Sequence, residues 1–154
     1  MKQSSHSLCQ YSTTNLNKYI MIIHLKIVGY LMLVLACIHV VFPKYFNWDK
    51  ELKHLSLINN QMMQTHTFFI ALTVGLIGLL CTTSALELTE TTLGKKITLG
   101  LGIFWSIRLL FQFFVYSSKL WKGKKFETTI HILFSFMWLY FCLTFLLTYY
   151  MNKG

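Results

Sequence analysis

Three histidines, one glutamine and one arginine stand inside strongly apolar sequence, where ionisable groups are costly and point to function by default. They are His39, His66, His131, Gln112 and Arg108. Imidazoles ligate haem iron in pairs, so His39 with His66 or His131 would suit a single haem b, with Arg108 on a propionate. Three neutral imidazoles, His39, His66 and His131, would equally suit one metal ion such as Zn, Cu or Fe. A quinone-like ligand asks for less: an arginine, an amide and one histidine. No motif selects among these chemistries. The HxxxH and HxxHH clusters of membrane desaturases are absent, CxxC does not occur, and no carboxylate lies in the interior of the apolar runs.

Spacing says what must position these groups. Arg108 and Gln112 are four residues apart and share a helix face, which Trp105 extends. His131, Ser135, Trp138 and Cys142 follow at intervals of 4, 3 and 4, and Met62, His66, Phe69 and Thr73 form a third stripe. All fall in four continuous apolar runs near 20–42, 62–86, 97–116 and 129–150. A helix needs about 20 such residues to cross a hydrocarbon core of about 30 Å. The runs do not alternate as barrel strands do. Pro43, which cannot donate to a helix, is expected to end the first.

Successive spans alternate in direction. The end of the first, the start of the second, the end of the third and the start of the fourth therefore meet one face, here side B. His39, His66, Gln112 and His131 are then expected at one level, about 5–10 Å inside that face, with Arg108 one turn deeper. The expected fold is all-α, a four-helix transmembrane bundle with a polar pocket near the side bearing residues 43–61 and 117–128. Ala71, Gly75 and Gly78 offer small surfaces for close helix packing.

Composition agrees. The 154 residues are 55% hydrophobic, 16% aromatic and 12% charged, with a mean hydropathy of +0.52. Soluble domains carry about 25% charge, so a disordered chain is excluded and a water-soluble globule disfavoured. The net charge of +9 comes from lysines flanking the spans, not from a separate basic module, so no nucleic-acid partner is expected. Lys44, Lys50, Lys53, Lys119, Lys122, Lys124 and Lys125 lie towards side B, against Lys26, Lys95, Lys96 and Lys153 opposite. That excess makes side B cytoplasmic; counting Lys2 and Lys18 as well nearly cancels it. Residues 1–20 form a polar tail without a signal-peptide core, and Met21 is an alternative start for the single transmembrane domain 21–154. Cys9, Cys37, Cys81 and Cys142 are scattered singly and read as packing residues. His24 is expected to reach headgroups, and His6 and His54 water. Residues 43–61 are expected to lie along the interface, with Trp48, Leu52 and Leu55 towards lipid.

The strings FPKYFNW (Phe42–Trp48), QMMQTHTFF (Gln61–Phe69), FWSIRLLFQFF (Phe104–Phe114) and YSSKLWKGKKFETT (Tyr116–Thr129) resemble those of small four-span bacterial membrane proteins, over residues 21–150. The resemblance implies a multi-pass protein of the cell membrane, in bacteria the inner membrane, and brings no catalytic residue with it. The expected partners are the lipid bilayer and either other membrane subunits or further copies of the chain. Three functional classes follow: a membrane protein whose pocket binds haem, a metal or a quinone-like ligand; a non-catalytic structural or assembly subunit; and a small oligomeric transporter.

Overall fold

The computed structural model describes residues 2–115 and 124–152, with side chains from Asn15 onward. Helix α1 (Lys2–Tyr45) is followed by α2 (Trp48–Glu51) and a 3-10 turn at Leu52–His54. Then come α3 (Leu57–Thr83), α4 (Ala85–Glu90), α5 (Thr92–Phe114) and α6 (Lys125–Met151). Among the described residues there is no strand, and the chain is all-α. Four helical stretches are long and apolar enough to cross a membrane, as a four-helix transmembrane bundle requires: Asn15–Tyr45, Leu57–Thr83, Thr92–Phe114 and Lys125–Met151. Tyr116, Lys119, Trp121, Lys122 and Lys153, and the side chains of Lys2, His6 and Cys9, lie outside the described residues.

Two boundaries differ from the sequence expectation. Pro43 does not end α1, which continues to Tyr45. Proline removes only the one donor to the His39 carbonyl, and the chain beyond it still closes the helix, with Phe46 N–H on the Phe42 carbonyl at 2.9 Å and Asn47 N–H on that of Lys44 at 3.3 Å. The turn comes at Asn47, in the left-handed region at φ 51°, which asparagine tolerates better than most residues. The connection at 87–96 is helical except at Thr91, after a first break at Ser84. Thr91 is extended and its Oγ1 accepts the Gly94 N–H at 2.9 Å, an N-cap that starts α5 afresh.

The chain divides into two units, Lys26–Ala85 and Met1–Leu25 with Leu86–Gly154. In the first, α1 and α3 meet at glycines. A Cβ on Gly29 would lie 2.8 Å from the Gly78 carbonyl oxygen, and one on Gly78 would lie 2.9 Å from that of Gly29. Backbone lies against backbone, as small residues allow between apolar helices. Gly78→Leu would force the pair apart and should cost about 3 kcal/mol; thermal unfolding of the purified protein would measure it, and an unchanged midpoint would contradict the crossing.

The second unit is built on the antiparallel pair α5 and α6. Gly102 faces Leu146, Trp105 meets Trp138 and Phe141, and Gln112 meets His131. The far end is fastened by Asn152, whose buried Nδ2 donates to the carbonyls of Leu88 and Thr91, each at 3.0 Å. Those oxygens belong to the α4–α5 corner, where the Thr91 oxygen also accepts the Lys95 N–H at 2.9 Å. Lys18 of α1 pairs with Glu90 at the same corner. Both side chains are partly exposed, so the pair adds little to stability.

Candidate functional site

Helix α5 presents Trp105, Arg108 and Gln112 on one face, as their spacing of three and four requires. Trp105 and Gln112 are buried. Arg108 Nη1 donates to Gln112 Oε1 at 3.3 Å. The guanidinium lies 4.9 Å from the ring centre of Trp138, within cation–π range. The Trp138 ring stacks on Trp105 with centroids 5.0 Å apart and planes 12° apart. Phe141 stands edge-on to both. Both indoles are buried, and neither Nε1–H has a hydrogen-bond partner among the described residues.

Helix α6 supplies the second wall. His131 Nε2 is 3.3 Å from the Gln112 backbone oxygen. A carbonyl can only accept, so this nitrogen carries the proton. Phe113 stands edge-on to the imidazole, and Ser135 Oγ donates to the His131 carbonyl at 2.8 Å. One turn past Trp138, Cys142 Sγ is 3.0 Å from Ser106 Oγ, closing the polar stripe against α5. Arg108, Gln112 and His131 are thus brought together, in the order and on the faces the spacing gave. The cluster is rich in donors: the guanidinium, the Gln112 amide N–H groups and the His131 ring N–H.

His39 and His66 belong to the other unit. Each donates Nδ1–H to the carbonyl four residues earlier, Leu35 and Met62, at 2.8 Å. That leaves Nε2 as the lone-pair nitrogen, the orientation a ligating imidazole needs. The two do not share a level. Gly75 opposes Ala36 and Gly78 opposes Gly29 and Leu33, and extending that register puts His39 about 9 Å along the axis from His66. His66 is exposed, with Met62 and Phe69 beside it, whereas α3 buries Ala71, Val74, Gly78 and Cys81. The stripe containing His66 therefore points away from the α1 contact, because the glycines decide which face of α3 can approach. Among the described residues no group of three or more His, Cys, Asp or Glu side chains is gathered to hold a metal ion.

Two polar contacts escape sequence reasoning. His24, expected among headgroups, has its Nδ1 2.8 Å from the Tyr140 hydroxyl. Its partner lies on α6, 116 residues away, and no local pattern connects the two. Asn152 sits beyond the last apolar run and reads there as a solvated end; only the helical corner at 84–94 gives it carbonyls to serve.

The contrast between the two outer histidines is measurable. His131→Ala removes a bond between helices and should lower the thermal midpoint, by about 1 kcal/mol of stability. His66→Ala removes only a contact to its own helix on an exposed face and should leave the midpoint unchanged. Equal losses would contradict the assignment of faces.

No family model, no curated protein and no solved structure matches this chain.

Proposed function

We propose that this chain is an integral, multi-pass protein of the cell membrane, the bacterial inner membrane, whose α5–α6 pair binds a quinone-like lipid-soluble ligand at Arg108, Gln112 and His131. Membrane residence is supported by what the helices leave uncovered. Within the most apolar window of each long stretch only 22–28% of residues are buried in the protein. Phe68, Leu76, Phe104, Leu133 and Leu147 are among the exposed side chains. Water would not tolerate apolar surface on this scale, and a hydrocarbon phase covers it at no cost.

The observation that carries the ligand reading is the meeting of His131 with Gln112 across two helices, with Arg108 one turn deeper on the same face. The cluster lies from about half a turn, at Gln112, to under two turns, at Arg108, inside the end of α5 at Phe114. A head group diffusing in the outer part of one leaflet passes at that depth. Arginine, amide and imidazole together suit ring oxygens, whereas a Zn-type metal site needs about three His, Cys or carboxylate ligands, and the described residues gather no such group here.

A second reading has its own support. Contacts in the cluster tie α5 to α6: Arg108 to Trp138, Gln112 to His131, Ser106 to Cys142. Such contacts also pin helices together in a non-catalytic subunit. The two separate in one experiment. Protein purified in mild detergent is extracted with solvent, and the extract is analysed for quinones by chromatography and mass spectrometry. The ligand reading expects quinone enriched over the bulk membrane ratio in the wild type and not in His131→Ala. Wild-type protein with no enrichment, and with no uptake of added decyl-benzoquinone, favours the structural subunit.

A further inference from the structure

We propose that Met62, Met63 and His66, near the start of α3, form a binding site for a soft monovalent metal ion, Cu(I). The three residues stand at i, i+1 and i+4 of one helix. His66 is therefore the i+4 neighbour of Met62 and the i+3 neighbour of Met63, one turn beyond both. Side chains on a helix lean towards its N-terminus, so the imidazole lies over the turn that carries the two thioethers. The bond from His66 Nδ1–H to the Met62 carbonyl, at 2.8 Å, records that lean. Met62 and Met63 are 49% and 44% exposed and His66 is exposed as well, so the three are not committed to packing. Among the described residues His66 makes no other hydrogen bond. Its Nε2 keeps a lone pair, and the carbonyl fixes the ring as it does in ligating histidines.

The ligand types select the ion. Thioether sulfur is soft and uncharged, and it favours Cu(I) over the harder divalent ions. Two thioethers and one imidazole make three neutral ligands, and the rotatable bonds of methionine let each sulfur swing to meet Nε2. Charge argues the same way. No Asp or Glu occurs between Leu57 and Leu86, and Phe68 and Phe69 follow the site directly. In such surroundings one uncompensated positive charge costs less to hold than two. The set needs neither His39 nor His131. All three ligands come from one continuous helix, so no second helix has to move to complete it. The site begins about one and a half turns from the start of α3 at Leu57, close enough to the aqueous boundary for an ion to arrive.

For the test, full-length protein in detergent has its accessible thiols alkylated and is dialysed anaerobically against Cu(I) kept reduced by ascorbate. Bound copper is then counted by mass spectrometry. Wild-type protein is expected to hold about one Cu(I) per chain. His66→Ala, and the double variant Met62→Leu with Met63→Leu, should each lose at least about a hundredfold in affinity, because removing even a hydrogen bond that supports a ligand costs about 10–100-fold. All three positions are exposed, so both variants should keep wild-type helicity by circular dichroism. No copper on the wild type, or undiminished binding in either folded variant, overturns the site. A measurement on wild-type protein decides the matter where a variant fails to fold. With 13C-labelled methionine methyl groups, Ag(I), a diamagnetic ion of the same class, should shift the Met62 and Met63 signals and leave the others of the seven methionines in place. Shifts at other methionines, or none at all, overturn the proposal.

Discussion

Gly94→Ala should be among the most damaging single substitutions in this chain. A Cβ at position 94 would overlap the Glu87 carbonyl oxygen and lie 2.6 Å from the Leu88 Cα. Both obstacles are backbone, so no side-chain rotation relieves them. The alternative is to open the α4–α5 corner, and that corner holds the Thr91 cap and the two carbonyls served by Asn152. The expected cost is about 3 kcal/mol or more. Asn152→Ala attacks the same corner from α6 and takes the side-chain donor from the Leu88 carbonyl, while the Thr91 carbonyl keeps the Lys95 N–H, at about 1–2 kcal/mol. The two substitutions share one structure, so their effects should be less than additive. Thermal unfolding of the three variants checks this. A Gly94→Ala midpoint within a degree of wild type would mean the corner is not packed as described.

Arg108→Leu is expected to have the largest effect on binding. It removes the charge-assisted donor from the cluster, and affinity for the oxidised quinone should fall by about a hundredfold. Arg108→Lys keeps a cation but loses the planar guanidinium that donates to Gln112 and lies 4.9 Å from the ring centre of Trp138, and should lose about tenfold. Stability should move differently. Leucine is well tolerated in a membrane helix, and the loss, which includes the cation–π contact to Trp138 and the hydrogen bond to Gln112, should be about 1–2 kcal/mol. A structural pin alone would lower the thermal midpoint in the same way but show no quinone affinity in any variant or in the wild type.

How much of this was legible before the fold was known depends on the range of the interaction. The α5 and α6 stripes follow from spacings of three and four, because those spacings alone fix a shared helix face. Gln112 and Trp138 are accordingly buried where the sequence pointed. The α3 stripe failed for a physical reason. Its histidine marked a plausible polar face, but Gly75 and Gly78, on another face, permit the close approach to α1. Small residues outweigh polar ones when helices choose a contact in an apolar medium. Pro43 misled because a proline breaks a helix interior and is nearly harmless in its last turn. The α4–α5 corner was hidden by its charged residues, which suggested a loop. A threonine cap and a distant asparagine make it helical, and the asparagine is visible only in three dimensions. His24 and Tyr140 are a pair of the same kind.

The most direct test of the ligand site is where a quinone touches the chain. An aryl-azide benzoquinone can be photolysed with wild-type protein in native-like lipid discs, and the attachment points mapped by peptide mass spectrometry. The expected result is labelling confined to residues around 104–112 of α5 and 131–138 of α6, competed away by excess decyl-benzoquinone and absent in Arg108→Leu. Labelling spread over the exposed apolar faces of all four long helices, insensitive to competitor and unchanged in Arg108→Leu, would contradict it.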